Sequence, residues 1–142
     1  VAAGEAFSFI AQQRIDSALH GFRDQTGLVA SVYVGTTDDN GLSIDAFADR
    51  ALAELPAHRE GTVLIVVDPG RRQSVIRTDP TARHRVTDAS CALATLSMTT
   101  SFGAGDLVGG VVVGLRMLGD ACAPPTTTHG RPDPTSSTVT SR

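Results

Sequence analysis

Five aspartates stand where a site could form: Asp38, Asp39, Asp68, Asp88 and Asp106. Asp38 and Asp39 follow Thr36 and Thr37 after the β-branched stretch 28–35. Asp68 follows the apolar run Val63-Leu64-Ile65-Val66-Val67. If these two segments are neighbouring parallel strands, their C-terminal ends share the sheet edge where open α/β folds bind ligands. Thr36, Thr37, Asp38, Asp39 and Asp68 would then meet at one rim. A rim offering roughly four to six oxygens suits a hard cation such as calcium or magnesium. Such a cation could polarise a phosphoryl oxygen and activate water, the chemistry of a cation-dependent phosphatase. The competing reading is local: Asp38, Asp39 and Asn40 as turn formers, and Asp68 at the start of a hairpin turn.

Asp88 and Asp106 each stand at a helix start, where a carboxylate accepts backbone N–H bonds and offsets the helix dipole. Asp106 is the single charge in Ala89–Leu115 and follows Gly103-Ala104-Gly105. It reads either as a cap or as a ligand-facing acid at a glycine turn. Arg71, Arg72, Arg83 and Arg85 could pair with the acids or bind a phosphate ester, or be solvated turn charges. His20, His58, His84 and His129 have no metal-ligand spacing. Ser97, Thr99, Thr100 and Ser101 have no assignable histidine partner, so a serine hydrolase has little support. No catalytic set can be named. The charge-poor helical segments favour a non-enzymatic binding or scaffold domain with an unknown protein partner, with the phosphatase-like hydrolase as the alternative.

The elements that must position these residues follow from periodicity. Ile15, Ala18, Leu19 and Phe22 predict a helix over 9–25, capped by Ser8 and closed by Gly27. Residues 28–35 predict a strand. Ser43 opens a helix over 44–55, with Ile44, Phe47, Ala48, Ala51 and Leu52 on its apolar face and Pro56 ending it. Val63–Val67 is apolar at every position, which marks a strand covered on both faces. Asp68-Pro69-Gly70 turns the chain into a hairpin partner over 73–78. Helices over 88–99 and 106–119 follow. The predicted fold is a single α/β domain over 8–120, in the order α-β-α-β-β-α-α. Its mixed sheet of about four strands lies between helix layers, with a right-handed crossover at 28–67. Residues 1–7 read as a disordered N-terminus. Residues 121–142, rich in Pro, Thr and Ser, read as a disordered tail.

Composition excludes several classes. The chain has 142 residues and a formal net charge of −3, which gives no electrostatic case for nucleic-acid or anionic-membrane binding. Its positive side chains are all arginine, so no Schiff-base or P-loop lysine exists. Two cysteines, Cys91 and Cys122, are too few for a disulfide framework and suggest a reducing compartment. No signal peptide is visible at Val1–Glu5, and no apolar run nears the roughly 20 residues that span a bilayer. A cytoplasmic location is expected. Gly109, Gly110 and Gly114 share one face of the last helix, for close packing inside the domain or a homodimer contact.

Several of these stretches together resemble the TPM domain: Thr26-Gly27, Ile44–Leu55, Val63–Val67 with Asp68-Pro69, Val86–Ala89, and Phe102–Asp106 with Gly110. SVYVG at 31–35, SCALATLSMTTSFGAGDLVGG at 90–110 and GLRML at 114–118 more closely resemble an actinobacterial family of unknown function related to that domain. The resemblance covers roughly residues 7–120. It implies an α/β sandwich. It also implies the activities reported for TPM relatives: calcium binding, acid phosphatase activity, or auxiliary roles in membrane complexes. The chain departs from the pattern in lacking the Val-x-Asp start, with Glu5-Ala6-Phe7-Ser8 near that place.

Overall fold

The computed structural model describes residues 2–3, 8–37 and 41–124. Asp38, Asp39 and the segment 125–142 lie outside the described residues. The first helix, α1 (Phe9–Thr26), is capped by Ser8, whose hydroxyl accepts from the Ala11 amide. It ends at Gly27, whose φ of 80° favours glycine. Strand β2 (Val29–Val34) follows, then α2 (Ile44–Glu54), capped by Ser43. Strand β3 (Thr62–Asp68) pairs parallel with β2, and β4 (Gln73–Thr78) pairs antiparallel with β3. The helices α4 (Asp88–Gly103) and α5 (Leu107–Ala121) complete the domain.

Two short elements add to the predicted order. Ala2–Ala3 forms β1, a parallel edge strand on β2, where a disordered N-terminus was expected. Backbone pairing along the open edge of β2 needs no side-chain periodicity, so no pattern announced it. Pro80–Arg83 forms α3, a single turn capped by Asp79, whose carboxylate accepts from the Ala82 amide at 2.8 Å. Four residues are too few to show a helical stripe. The sheet order is β1-β2-β3-β4.

All seven residues of β3 are buried. Val63, Ile65 and Val67 meet the core of α1, α4 and α5, which includes Ile15, Phe22, Met98, Val111 and Leu115. Leu64 and Val66 meet Ile44 and Ala48 of α2 on the opposite face. This is the period-2 alternation of a strand between two helix layers, and it gives the three-layer α/β sandwich.

The last-helix glycines face inward. A Cβ on Gly114 would stand 2.8 Å from Met98 Cγ, and one on Gly110 would stand 2.8 Å from a Phe102 ring carbon. These glycines let α5 pack closely on α4, the first of the two roles their spacing allowed. Arg85 is buried rather than a solvated turn charge. Its guanidinium donates to the Thr26 carbonyl at 2.7 Å and to the Ala123 carbonyl at 2.8 Å, and its own carbonyl accepts from the Ala123 amide. The ordered pairing therefore runs to Ala123, past the expected domain limit at 120.

Candidate functional site

The C-terminal ends of β2 and β3 do meet at one rim, as the parallel pairing requires. Asp68 is 2 % exposed there. Its Oδ2 accepts from the Thr37 amide at 2.9 Å and from the Thr37 hydroxyl at 2.8 Å, and its Oδ1 accepts from the Arg71 amide at 3.2 Å. Arg71 Nη1 donates to the Thr37 hydroxyl and to the Leu42 carbonyl, both at 3.2 Å. Burial works against the negative charge on Asp68. The hydrogen bonds from Thr37, then the Arg71 amide and guanidinium charge, outweigh it and hold the carboxyl below the ordinary aspartate value. This carboxylate fastens the chain after β2 to the hairpin turn after β3.

The other predicted acids are placed separately. Asp88 is exposed at the first position of α4, and the cap there is Thr87, whose hydroxyl accepts from the Ser90 amide at 3.1 Å. Asp106 is exposed and caps α5, its Oδ1 accepting from the Gly109 amide at 2.9 Å. Asp68 and Asp88 line different clefts. Among the described residues, no three His, Cys, Asp or Glu side chains are grouped to hold a metal ion. Asp38 and Asp39 fall outside the described residues.

Two clefts flank α4. The first, about 520 Å³, lies between the end of β3 and the α4–α5 turn, with Val67, Pro69, Phe102 and Leu107 as apolar walls. The second, about 800 Å³, runs along β4 between α2 and α4, lined by Ser74, Ile76, Thr78, Asp88, Cys91 and Leu96 among others. Thr99 lines both. Burial pushes the Cys91 thiol up, with Asp88 adding to the shift, so it is not an activated thiolate.

Between and above these clefts lies the outer face of α4, which sequence periodicity left unresolved because small, apolar and hydroxyl residues alternate around the helix. Its exposed residues include Ala89, Ala92, Leu93, Leu96, Thr99 and Thr100. Leu93 is 61 % exposed and Leu96 is 65 % exposed. No charge interrupts this helix after Asp88. In the same layer, α1 turns Arg14, Asp16, His20, Arg23 and Asp24 outward. At its first turn α1 also exposes Phe9, at 73 %, and Ile10, at 69 %.

No helix among the described residues is long and apolar enough to cross a membrane. Solved structures with the same fold include the BA42 protein of the psychrophilic bacterium Bizionia argentinensis, at a TM-score of 0.74 and 18% identity over 96% of this chain and 97% of that one. The N-terminal domain of cg2496 protein from Corynebacterium glutamicum matches at a TM-score of 0.69 and 15% identity, over 93% of this chain and 88% of that one. The N-terminal domain of a protein from P. gingivalis matches at 0.66 and 12%, over 84% and 79%. At these identities the likeness shows the fold alone. No curated protein matches the sequence. The family model described as "Domain of unknown function (DUF5130)" matches residues 3–119, and the chain belongs to that family.

Proposed function

We propose that this domain is a non-enzymatic protein-binding module of the cytoplasm and that its recognition surface is the outer flank of α4. The observation that carries the reading is the pair Leu93 and Leu96, more than half exposed on a helix with no charge after its first residue. Contiguous exposed apolar surface on a small domain marks an interaction site. The state of Asp68 supports the same reading from the other side. Its oxygens are engaged by Thr37 and Arg71, which suits a structural anchor better than an acid or base. Kinship with the TPM domain, suggested by Thr26-Gly27, Ile44–Leu55, Val63–Val67 with Asp68-Pro69, Val86–Ala89 and Phe102–Asp106, belongs to this proposal, as does an auxiliary rather than catalytic role.

The test is recovery of partners from cell extract on immobilised full chain, wild type against the double variant Leu93→Lys/Leu96→Lys. Both leucines are exposed, so the variant keeps the fold, which circular dichroism checks. The reading expects proteins retained by the wild type and lost by the variant. Retention of the same set by both proteins, or of none by either, contradicts it.

A further inference from the structure

We propose that the α4 flank and the open edge of β4 together receive a second copy of this chain, related by a two-fold axis, with β4 pairing antiparallel to β4 of the mate. The inference rests on the reading of the α4 flank as a recognition surface and names its partner.

Among the described residues β4 pairs with β3 alone, which leaves its other edge open. The ladder shows which groups face outward. The Asp79 amide donates to the Thr62 carbonyl at 3.0 Å. Alternation along the register then turns Arg77, Val75 and Gln73 toward β3, and leaves the main chains of Ser74, Ile76 and Thr78 pointing away. Two of the outward carbonyls carry a guanidinium: Arg77 Nη1 stands 3.4 Å from the Ile76 carbonyl, and Arg83 Nη2 donates to the Thr78 carbonyl at 3.0 Å. Among the described residues, the outward N–H groups of Ser74, Ile76 and Thr78 have no such cover.

Three observations select a second copy over another extended chain. The first is register. An antiparallel pairing centred on Ile76 sets each outward residue against an outward residue of the mate: Ser74 against Thr78, Ile76 against itself, Thr78 against Ser74. The second is the Ser74 hydroxyl. Ser74 is 9 % exposed, lines the groove, and its Oγ has no hydrogen-bond partner among the described residues. In that register it faces the Thr78 hydroxyl of the second copy across the strands, a stabilising cross-strand pair. The third is charge. Arg72 precedes β4 at one end, and Asp88 lines the groove beside Thr78 and Arg83 at the other. Both are exposed and neither side chain has an ion-pair partner among the described residues. A two-fold axis exchanges the ends, bringing Arg72 of each copy toward Asp88 of the other.

The same axis places α4 beside α4 on one side of a continuous sheet and covers Leu96 together with Ala92 and Thr99, which line the groove. Sixteen residues of α4 span about 24 Å, and with the strand edge the contact covers on the order of 500 Å² per copy, below the standard 800 Å² or so. The two guanidiniums must also leave their carbonyls. The dimer is therefore weak and concentration-dependent.

Sedimentation velocity of the full chain, from micromolar to millimolar, tests this. The expected result is a dimer fraction that rises with concentration and is abolished by Leu93→Lys/Leu96→Lys. Asp88→Arg and Arg72→Glu should each weaken the dimer roughly 5–30-fold, two repelling contacts arising per dimer. The double variant Asp88→Arg/Arg72→Glu should restore it to within about threefold, because the reversed charges meet again across the axis. A chain monomeric throughout, a dimer indifferent to the leucines, or a double variant no tighter than the singles overturns the proposal. A monomeric wild type that still captures proteins through Leu93 and Leu96 refutes the second copy while leaving the binding reading standing.

Discussion

Replacing Asp68 by asparagine keeps the shape of the side chain and removes the charge on which Thr37 and Arg71 converge. One oxygen becomes an amide that can only donate, facing donors. Asp68→Asn should cost about 1–3 kcal/mol in urea unfolding at neutral pH. The pH dependence has a definite sign. The native carboxyl is held below its ordinary value, so its stabilising contribution is complete above the unfolded-state pKa and drains away as pH falls through the native one. The gap between wild type and Asp68→Asn should therefore narrow as pH falls from 7 to about 3. An equal gap at both ends would show that the charge is not what the network holds. At the rim, the strand-end position of Asp68 was legible from Val63–Val67 and Asp68-Pro69. That Thr37 shares its rim was legible from the parallel strands, and Arg71 was one of four arginines free to pair with an acid; which oxygen each group takes is fixed only in the folded rim. The caps at Ser8, Ser43 and Asp106 were legible because a cap bonds its own next turn.

At the scale of elements, helix spacing and strand patterning already implied most of the sandwich. The apolar faces of α1 and α2 and the unbroken apolar run of β3 are periodic over enough residues to show. β1 and α3 are too short for any period, and the sheet's outer edge at β4 is fixed by pairing rather than by local sequence. The glycines of α5 show a second limit. Their spacing allowed either an internal or an external contact, and only the position of Met98 and Phe102 decides it. Gly114→Ala should destabilise by about 1–3 kcal/mol, because the new methyl meets Met98 in a filled interface. Ile65→Ala, at the centre of β3 and fully buried, should cost about 2–5 kcal/mol. Thermal or urea unfolding measures both. A neutral Gly114→Ala would show that α4 and α5 have slack between them.

For the whole molecule, the distribution of charge over the outer helix layer separates a solvated flank from a recognition flank. Beyond its first turn, where Phe9 and Ile10 are exposed, α1 presents five ionisable side chains to water, whereas α4 beyond Asp88 presents leucines, alanines and threonines. The stretch 89–115, with Asp106 as its one charge, thus divides into an inner part that fills the core and an outer part that does not. Within α4 the division was illegible in sequence because alanine and larger apolar residues fall on both faces. The account also expects no acceleration of phosphate-ester hydrolysis by the folded chain with calcium or magnesium. Turnover lost specifically in a folded Asp68→Asn variant would restore the hydrolase. The most direct test of the central claim is the retention of proteins from extract by wild type and by Leu93→Lys/Leu96→Lys. The account predicts a set held by the first and released by the second, with unchanged fold. An identical set on both, or an empty one, would contradict it.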